Sequence, residues 1–442
     1  DARFIERDSP LYAEMDALYA LSCLASPNTN RPWTESQARL YLSKIDYDSL
    51  SDAGKELYKS IEIEIEKGLR WEFDDGFSLS GGITFSNEIY AHTNSEFDRE
   101  EEWVRSWTDR EPLIRLWGEV SSGSMFYTAA DILYRYGRAA MEDNYGLLKD
   151  IMTTDGYIGS YHLSDPEKTP YIISSKYFSE KLATNFFTNI QNFSFIWPRR
   201  AVFSFGGERW NVSFSRDRMK LGKSHIGSLL VDDHSDYTDS IRTTFFNKYF
   251  TYDWILLPLN TLTSHSEDPV EESRVYMIHT LDFRILDKVS LKISENVMWK
   301  YSNFDLGYLN PSFFYHNLNN RSMFNALAYI EVNASLFKGF TLYGQYAMDQ
   351  ARAPHEGDSQ SDAWGMSVGG EYTFSLGKSV FTAYSEYLLT SPLLYRRDGV
   401  DFIKVSRYYH QGSDNDTYGH IPFFEYIGYR YGGDTSTLKT GV

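Results

Sequence analysis

Two periodicities divide the chain. In the first 70 residues, apolar positions recur at helical spacing. In "DSPLYAEMDALYAL", Leu11, Met15 and Leu18 fall on one face, with Ser9 as N-cap and Pro10 in the first helical turn. "TESQARLYLSKI" opens with Thr34 and Gln37 at capping-box spacing. "LSDAGKELYKSIEIEIEKGL" fits two patterns. Leu57, Ile61 and Ile65 suit a helix, whereas Ile61, Ile63 and Ile65 against Glu62, Glu64 and Glu66 suit a strand; the helix is the reading adopted. These two or three short helices cannot bury their faces alone. The lone Cys23 falls in the first pattern as a packed helix-face residue, and one cysteine forms no internal disulfide.

From about residue 76 the period becomes two. In "SMFNALAYIEVNASLF", Phe324, Ala326, Ala328, Ile330, Val332, Ala334 and Leu336 form one face. Asn325, Tyr329, Glu331, Asn333 and Ser335 form the other. "RVYMIHTLDFR", "KVSLKISENVMW", "FTLYGQYAMD", "AWGMSVGGEYTF", "LIRLWGEV", "RAVFSF" and "WNVSFSR" behave similarly. Connections alternate in length. "FGGE", "LDK", "FKG" and "SLGK" are tight turns, separated by long segments near 219–238, 262–272, 300–321, 350–362 and 391–420. Short turns on one rim and long loops on the other are the signature of an outer-membrane barrel, whose strands need about 9–11 residues to cross at a tilt. The region 135–195 holds either long excursions between strands or a segment folded into the lumen.

Composition agrees. No run of 18 apolar residues is present, so no transmembrane helix is expected. Aromatics reach 17 %, and Trp299, Tyr301, Phe337, Phe340, Trp364, Tyr384 and Tyr387 sit where strands end, as interface girdles would. The polar face carries Arg115, Glu119, Arg216, Arg274, Asp282, Arg284 and Glu331, read as lumen charges that hold strands in register or select in a pore. The formal charge of −18 excludes nucleic acid as a partner. The N-terminus lacks a basic and apolar leader, so an export signal is expected to have been removed already.

No catalytic constellation emerges. The pairs Asp74–Asp75, Asp232–Asp233 and Glu271–Glu272 have nothing orienting them opposite a partner. "GFSLSGG" matches a nucleophile elbow only superficially, and no phosphate-cradling loop occurs. Neither an enzyme nor a cofactor is expected. His225, Asp232, Asp233 and His234 are weak metal candidates that match no calcium or zinc pattern.

One stretch resembles a known family. "RAVFSFGGERWNVSFSRDRMKLGKSHIGSLLVDD" is similar to the hairpin and following loop of the Wzi-type capsule assembly proteins, through Arg216, Asp217, Gly222, Gly227, Ser228 and Leu229. "HTLDFRILDKVSLKISENVMW", "YLNPSFFYHN", "LFKGFTLYGQYAMDQ" and "IGYRYGGD" follow in family order. The resemblance implies an outer-membrane barrel that holds surface polysaccharide in a lectin-like way, without catalysis.

The expected fold is therefore an all-β transmembrane barrel of about 16–18 antiparallel strands. Residues 1–70 form a small N-terminal helical segment at the periplasmic end, and 71–442 form the barrel. "STLKTGV" reads as the start of a strand, so either further strands follow or the topology differs, because lipid tolerates no open edge. Candidate glycan contacts lie in the external loops: Tyr308, Phe314, Tyr315 and His316, then His355, then Tyr395, Arg396, Tyr408, Tyr409 and His410. Expected partners are surface polysaccharide, outer-membrane lipid and other envelope proteins. A passive channel, a soluble glycan-acting enzyme and an assembly component are the alternatives.

Overall fold

The computed structural model describes residues 2–66, 71–73, 76–89, 111–134, 184–186, 198–235, 237–263, 270–300, 324–350, 362–396, 400–411 and 418–442. Expected features at 135–183, 301–323 and 351–361 lie outside these residues, among them Tyr301, Tyr308, Phe314, Tyr315, His316 and His355.

Local chemistry sets the helices. Ser9 Oγ accepts from the Leu11 amide across Pro10, whose helical φ and ψ lead into α1 (Leu11–Leu21). The helix ends at Cys23, which has positive φ; its amide bonds to Ala20 O while that of Leu24 bonds to Tyr19 O. Cys23 thus closes α1 rather than packing on its face. After a two-residue strand, β1 (Asn30–Arg31), the reciprocal box of Thr34 and Gln37 starts α2 (Glu35–Leu42). The ambiguous stretch is helical, as α3 (Asp52–Glu66), with Ile61 and Ile65 buried and Ile63 exposed. The helices do bury their own faces. Leu11, Tyr12, Met15, Trp33, Tyr41 and Ile61 belong to a cluster drawn entirely from residues 5–65.

The strands then follow: β2 (Trp71–Glu72), β3 (Phe77–Phe85), β4 (Ile114–Ser122), β5 (Phe126–Tyr134), β6 (Ala201–Gly206), β7 (Trp210–Asp217) and β8 (Lys220–Leu221). Next come β9 (Thr238–Phe246), β10 (Phe250–Thr263), β11 (Val270–Leu286), β12 (Val289–Lys300), β13 (Phe324–Phe337) and β14 (Phe340–Gln350). The last are β15 (Ala363–Leu376), β16 (Ser379–Thr390), β17 (Ile403–Gln411), β18 (Tyr418–Tyr426) and β19 (Thr435–Gly441). Among the described residues, one antiparallel sheet of 15 strands runs from β2 to β19, with β16 bonded directly to β19. Among the described residues, β17 and β18 pair with each other and not with this sheet. Among the described residues the sheet has two edges, β2 and β19. Tight turns join β6–β7, β9–β10, β11–β12, β13–β14 and β15–β16, all on one rim.

The faces are inverted relative to a soluble protein. On β13, Ile330 and Val332 are exposed, while Asn325, Glu331, Asn333 and Ser335 are buried. The same holds for exposed Phe203, Phe214, Leu342 and Val368 against buried Ser204, Ser213, Gln345 and Ser367. This is the arrangement of a sheet with lipid outside and a polar interior. Phe337 and Phe340 stack at 4.9 Å near the short-turn rim, continuing through Tyr372, Phe374 and Phe381 as an aromatic girdle. Three assignments change: Trp299, expected in the girdle, is buried with Val275, Met277 and Val297. Arg216 lies on the outward face, paired with Asp239 at 2.8 Å. Tyr384 points inward and stacks on His225.

The interior is filled by the chain itself, in two layers. Nearest the short turns, the linker after α1 enters the lumen. Asn30 bonds to Asp253 (2.8 Å), Thr280 (2.7 Å) and Lys292 (2.8 Å). Thr29 donates to Glu331 at 2.8 Å and accepts from Lys292. Arg284 fixes the linker by donating to the carbonyls of Ala25 and Ser26, both at 3.0 Å. Toward the long connections lies an apolar cluster. Ile255, Leu257, Tyr276, Ile278, Met298 and Leu327 from the wall meet Leu229, Leu230, Tyr395, Phe402, Ile427 and Tyr429.

Lys292 and Glu331 face each other across β12 and β13 and are almost wholly buried. Replacing Glu331 with alanine takes away one of the two carboxylates beside Lys292, Asp282 being the other, and leaves Thr29, Tyr329 and the Lys223 amide without their acceptor; it should cost about 3–5 kcal/mol. The temperature at which the protein loses its compact mobility in SDS gels should fall; an unchanged temperature would remove this network from the account.

Candidate functional site

Among the described residues, two inserted segments lie toward the long-connection rim. The first, 218–235, was expected to be an external loop, but it turns into the lumen. The wall draws it in. Glu331 accepts from the Lys223 amide (3.0 Å), Gln345 Oε1 accepts from that of Leu229 (3.0 Å), and Gln345 Nε2 donates to Lys223 O (2.6 Å). Glu386 accepts from Ser224 Oγ (2.5 Å) and from the His225 amide (2.6 Å). Gly222 has φ +126, and a Cβ there would come within 2.5 Å of the Tyr329 hydroxyl and 2.7 Å of Ser228 Oγ. Ser228 Oγ donates to Leu221 O. Leu229 and Leu230 are essentially fully buried; each contributes about 1.5–3 kcal/mol by leaving water. Gly222, Ser228 and Leu229, among the residues that carry the family resemblance, therefore shape this inward turn.

The second segment, 391–434, leaves β16 and returns as β19, carrying the β17–β18 hairpin between them. Its base is anchored inside. Tyr395 is fully buried with positive φ; its hydroxyl donates to Leu229 O at 2.7 Å and accepts from the Tyr429 amide at 3.1 Å. Burial drives its phenol pKa well above the ordinary value. Lys404 donates to Tyr237 O and Thr238 Oγ1, tying the start of β17 to β9.

The candidate contacts separate accordingly. Tyr395 holds the two inserted segments together and presents no free hydroxyl. Arg396 is mostly buried, with Nε 4.0 Å from Asp401. Tyr408, Tyr409 and His410 are consecutive on β17, where Tyr408 pairs with Ile421 and His410 with Gly419, at the end of the hairpin away from its base.

The metal candidates are not gathered. His225 Nε2 lies 2.5 Å from Glu371, Asp232 is engaged by Lys220, His234 and the Ser228 amide, and Arg7 pairs with Asp233. No group of three or more metal-ligating side chains occurs among the described residues. Of the residues that hold 218–235 in place, Glu331 and Glu371 fall on polar faces read from sequence, whereas Gln345 and Glu386 were not singled out. Their signal was alternation, since each falls on the buried face of its strand.

No family model matches the chain, and no curated protein matches it. Its fold is similar to that of Wzi from Escherichia coli, an outer-membrane protein involved in group 1 capsule assembly and a carbohydrate-binding β-barrel. The TM-score is 0.57 at 12 % identity, over 99 % of this chain and 80 % of that one. A loop-deletion mutant of OmpT, an outer-membrane protein of Vibrio cholerae, matches with TM-score 0.29 at 9 % identity, over 72 % of this chain and 94 % of that one. OccK11 (OpdR) of Pseudomonas aeruginosa matches with TM-score 0.25 at 10 % identity, over 63 % of this chain and 75 % of that one. The fold is thus that of an outer-membrane β-barrel of the Wzi kind.

Asp232 links the inward turn to pH. Burial alone would raise its carboxyl, but Lys220, His234 and the Ser228 amide outweigh it and hold the pKa well below the usual range. A depressed folded pKa contributes stability above the unfolded value of about 3.9, lost as pH falls through the folded value. Proteolytic resistance of 218–235 should therefore hold from pH 7 to pH 5 and fail only in strong acid. Asp232→Asn should expose the segment at pH 7; if its cleavage matches the parent's, the carboxylate does not hold the turn.

Proposed function

We propose that this chain is an outer-membrane protein that retains surface polysaccharide at its long-connection rim, without catalysis. In this reading the short turns and helical segment face the periplasm, and the apolar outer face contacts lipid. The observation that carries the reading is the filled lumen. A strand wall whose inward charges are consumed by the protein's own linker and inward turn leaves the rim as the surface for function. The likeness to Wzi, a carbohydrate-binding barrel, supports the same direction.

The rim chemistry suits sugars. Aromatic faces stack on sugar C–H surfaces, while amide, carboxylate and imidazole groups take hydroxyls. Tyr308, Phe314, Tyr315 and His316 in 308–316, His355, and Tyr408–His410 on β17 are the proposed contacts. The chain's net charge of −18 favours a neutral or basic glycan over an anionic one. The passive-channel alternative is disfavoured, because the apolar cluster and the polar layer both cross the lumen.

The double substitution Tyr315→Ala/His316→Ala should weaken polysaccharide retention about tenfold or more. The SDS-gel mobility of the folded barrel should not change. Loss of barrel stability with retention intact would assign these residues to packing instead. In planar bilayers the parent protein should show no persistent conductance; a steady open channel would support the alternative.

A further inference from the structure

The tight turns carry a charge pattern that the lumen network does not use, at the opposite rim from the proposed glycan contacts. Five hairpins follow one another in the sheet: β6–β7, β9–β10, β11–β12, β13–β14 and β15–β16. Each has one cation at its turn, namely Arg209, Lys248, Lys288, Lys338 and Lys378, and all five are exposed. Beside each stands an apolar side chain. Tyr249, Leu286, Phe337 and Leu376 are exposed next to the four lysines. Trp210, next to Arg209, packs edge-on against exposed Phe205 with centroids 5.5 Å apart. The other turns of this rim, at 73–76 and 122–125, carry no cation. The pattern thus belongs to one continuous stretch of the rim, in a chain whose net charge is −18.

These cations are not consumed by the protein. Among the described residues none of the five side chains forms an ion pair, hydrogen bond or ring contact, although Glu208 and Asp287 lie beside two of them in sequence. Positive charge is densest at the β9–β10 turn. Lys44, which follows α2, donates to the Lys248 carbonyl there, and burial together with nearby Arg284 lowers its pKa to about 8. A lysine or arginine with its stem on an apolar surface holds its charge just beyond that surface. Neighbouring strands are about 4.8 Å apart, so successive turns recur about every 10 Å. That is close to the screening length of about 8 Å in physiological salt, so the five charges form a row without strong mutual repulsion.

A partner for this rim needs anionic groups arranged in a layer where the apolar outer face ends. We propose that the partner is anionic phospholipid, with phosphatidylglycerol as the simplest case, whose headgroup phosphates take the five cations while its chains lie on the apolar belt. The outer face and its aromatic girdle run directly into these turns, which puts a headgroup layer at their level. A soluble anionic polymer would use the cations but leave their apolar neighbours in water. Each cation near an anionic lipid surface favours association about fivefold. This goes beyond the polysaccharide reading: it uses the other rim and rests only on the sheet crossing a membrane.

The test places the full chain in phosphatidylcholine vesicles with a trace of spin-labelled phosphatidylglycerol or spin-labelled phosphatidylcholine. Electron paramagnetic resonance then measures the lipid immobilised at the protein surface. The anionic label should be enriched there about twofold or more over the neutral one, and about 1 M salt should remove the difference. Arg209→Gln, Lys248→Gln, Lys288→Gln, Lys338→Gln and Lys378→Gln together should abolish the enrichment, leaving SDS-gel mobility and polysaccharide retention unchanged. Arginine at the four lysine positions should preserve it. No enrichment in the parent would overturn the proposal, as would an enrichment that survives the five glutamines. If neither label is immobilised, the sheet does not sit in a bilayer and the membrane reading falls with the proposal. Enrichment in a parent that retains no polysaccharide would uphold this proposal and remove the glycan reading alone.

Discussion

The structure depends on satisfying the polar inner face of the sheet. Alternation sends Ile330, Val332 and Leu342 outward and leaves Lys292, Glu331, Asp253 and Gln345 inside. Buried groups of this kind are costly unless hydrogen-bonded. The protein meets the requirement with its own backbone. Thr29 and Asn30 reach the wall from the short-turn side, and 222–229 reaches it from the other. Glu331 is where they meet, accepting from Thr29 on one side and from the Lys223 amide on the other. The placement of the helical segment follows from the same constraint, because the linker that satisfies the lumen also tethers α1 beneath β13–β15. Gly339 at the β13–β14 turn donates to Ala20 O, and the Ala25 amide donates to Asp287 O at the β11–β12 turn.

This arrangement separates stability from recognition. Groups inside the lumen have their partners fixed by the fold, so substitutions there act first on stability. On the proposed reading, recognition falls to the part of the β17–β18 hairpin away from its base. An aromatic-rich chain with a charge of −18 is consistent with a neutral, hydroxyl-bearing ligand there.

Much of this was legible in the sequence because period, turn and cap are local properties. Thr34 and Gln37 announced α2, and Glu331 and Asn333 announced the buried face of β13. The failures were places where local pattern carries no information about the partner. "SRD" at 215–217 puts polar residues on both faces, so Arg216 could not be assigned to the outer one. Tyr384 and Tyr387 are three apart on one strand, and opposite parity sends one inward and the other outward. "SHIGSLLVDD" reads as a loop in isolation. Its burial follows from Gln345, Glu371 and Glu386, which lie more than a hundred residues later and were visible only as polar positions awaiting partners. Tyr395 looked like a surface aromatic for the same reason: its hydroxyl is satisfied by Leu229 and Tyr429, far from it in sequence.

The central claim is that 218–235 is part of the interior rather than a loop over it. Amide hydrogen exchange across this segment tests it most directly, because protection there requires closed structure. The amides of Leu221, Leu229 and Asp232 are bonded to Val231 O, Gln345 Oε1 and Ile427 O. They should exchange as slowly as those of β13–β15. Exchange at the rate of a free loop, with the barrel strands still protected, would contradict the account.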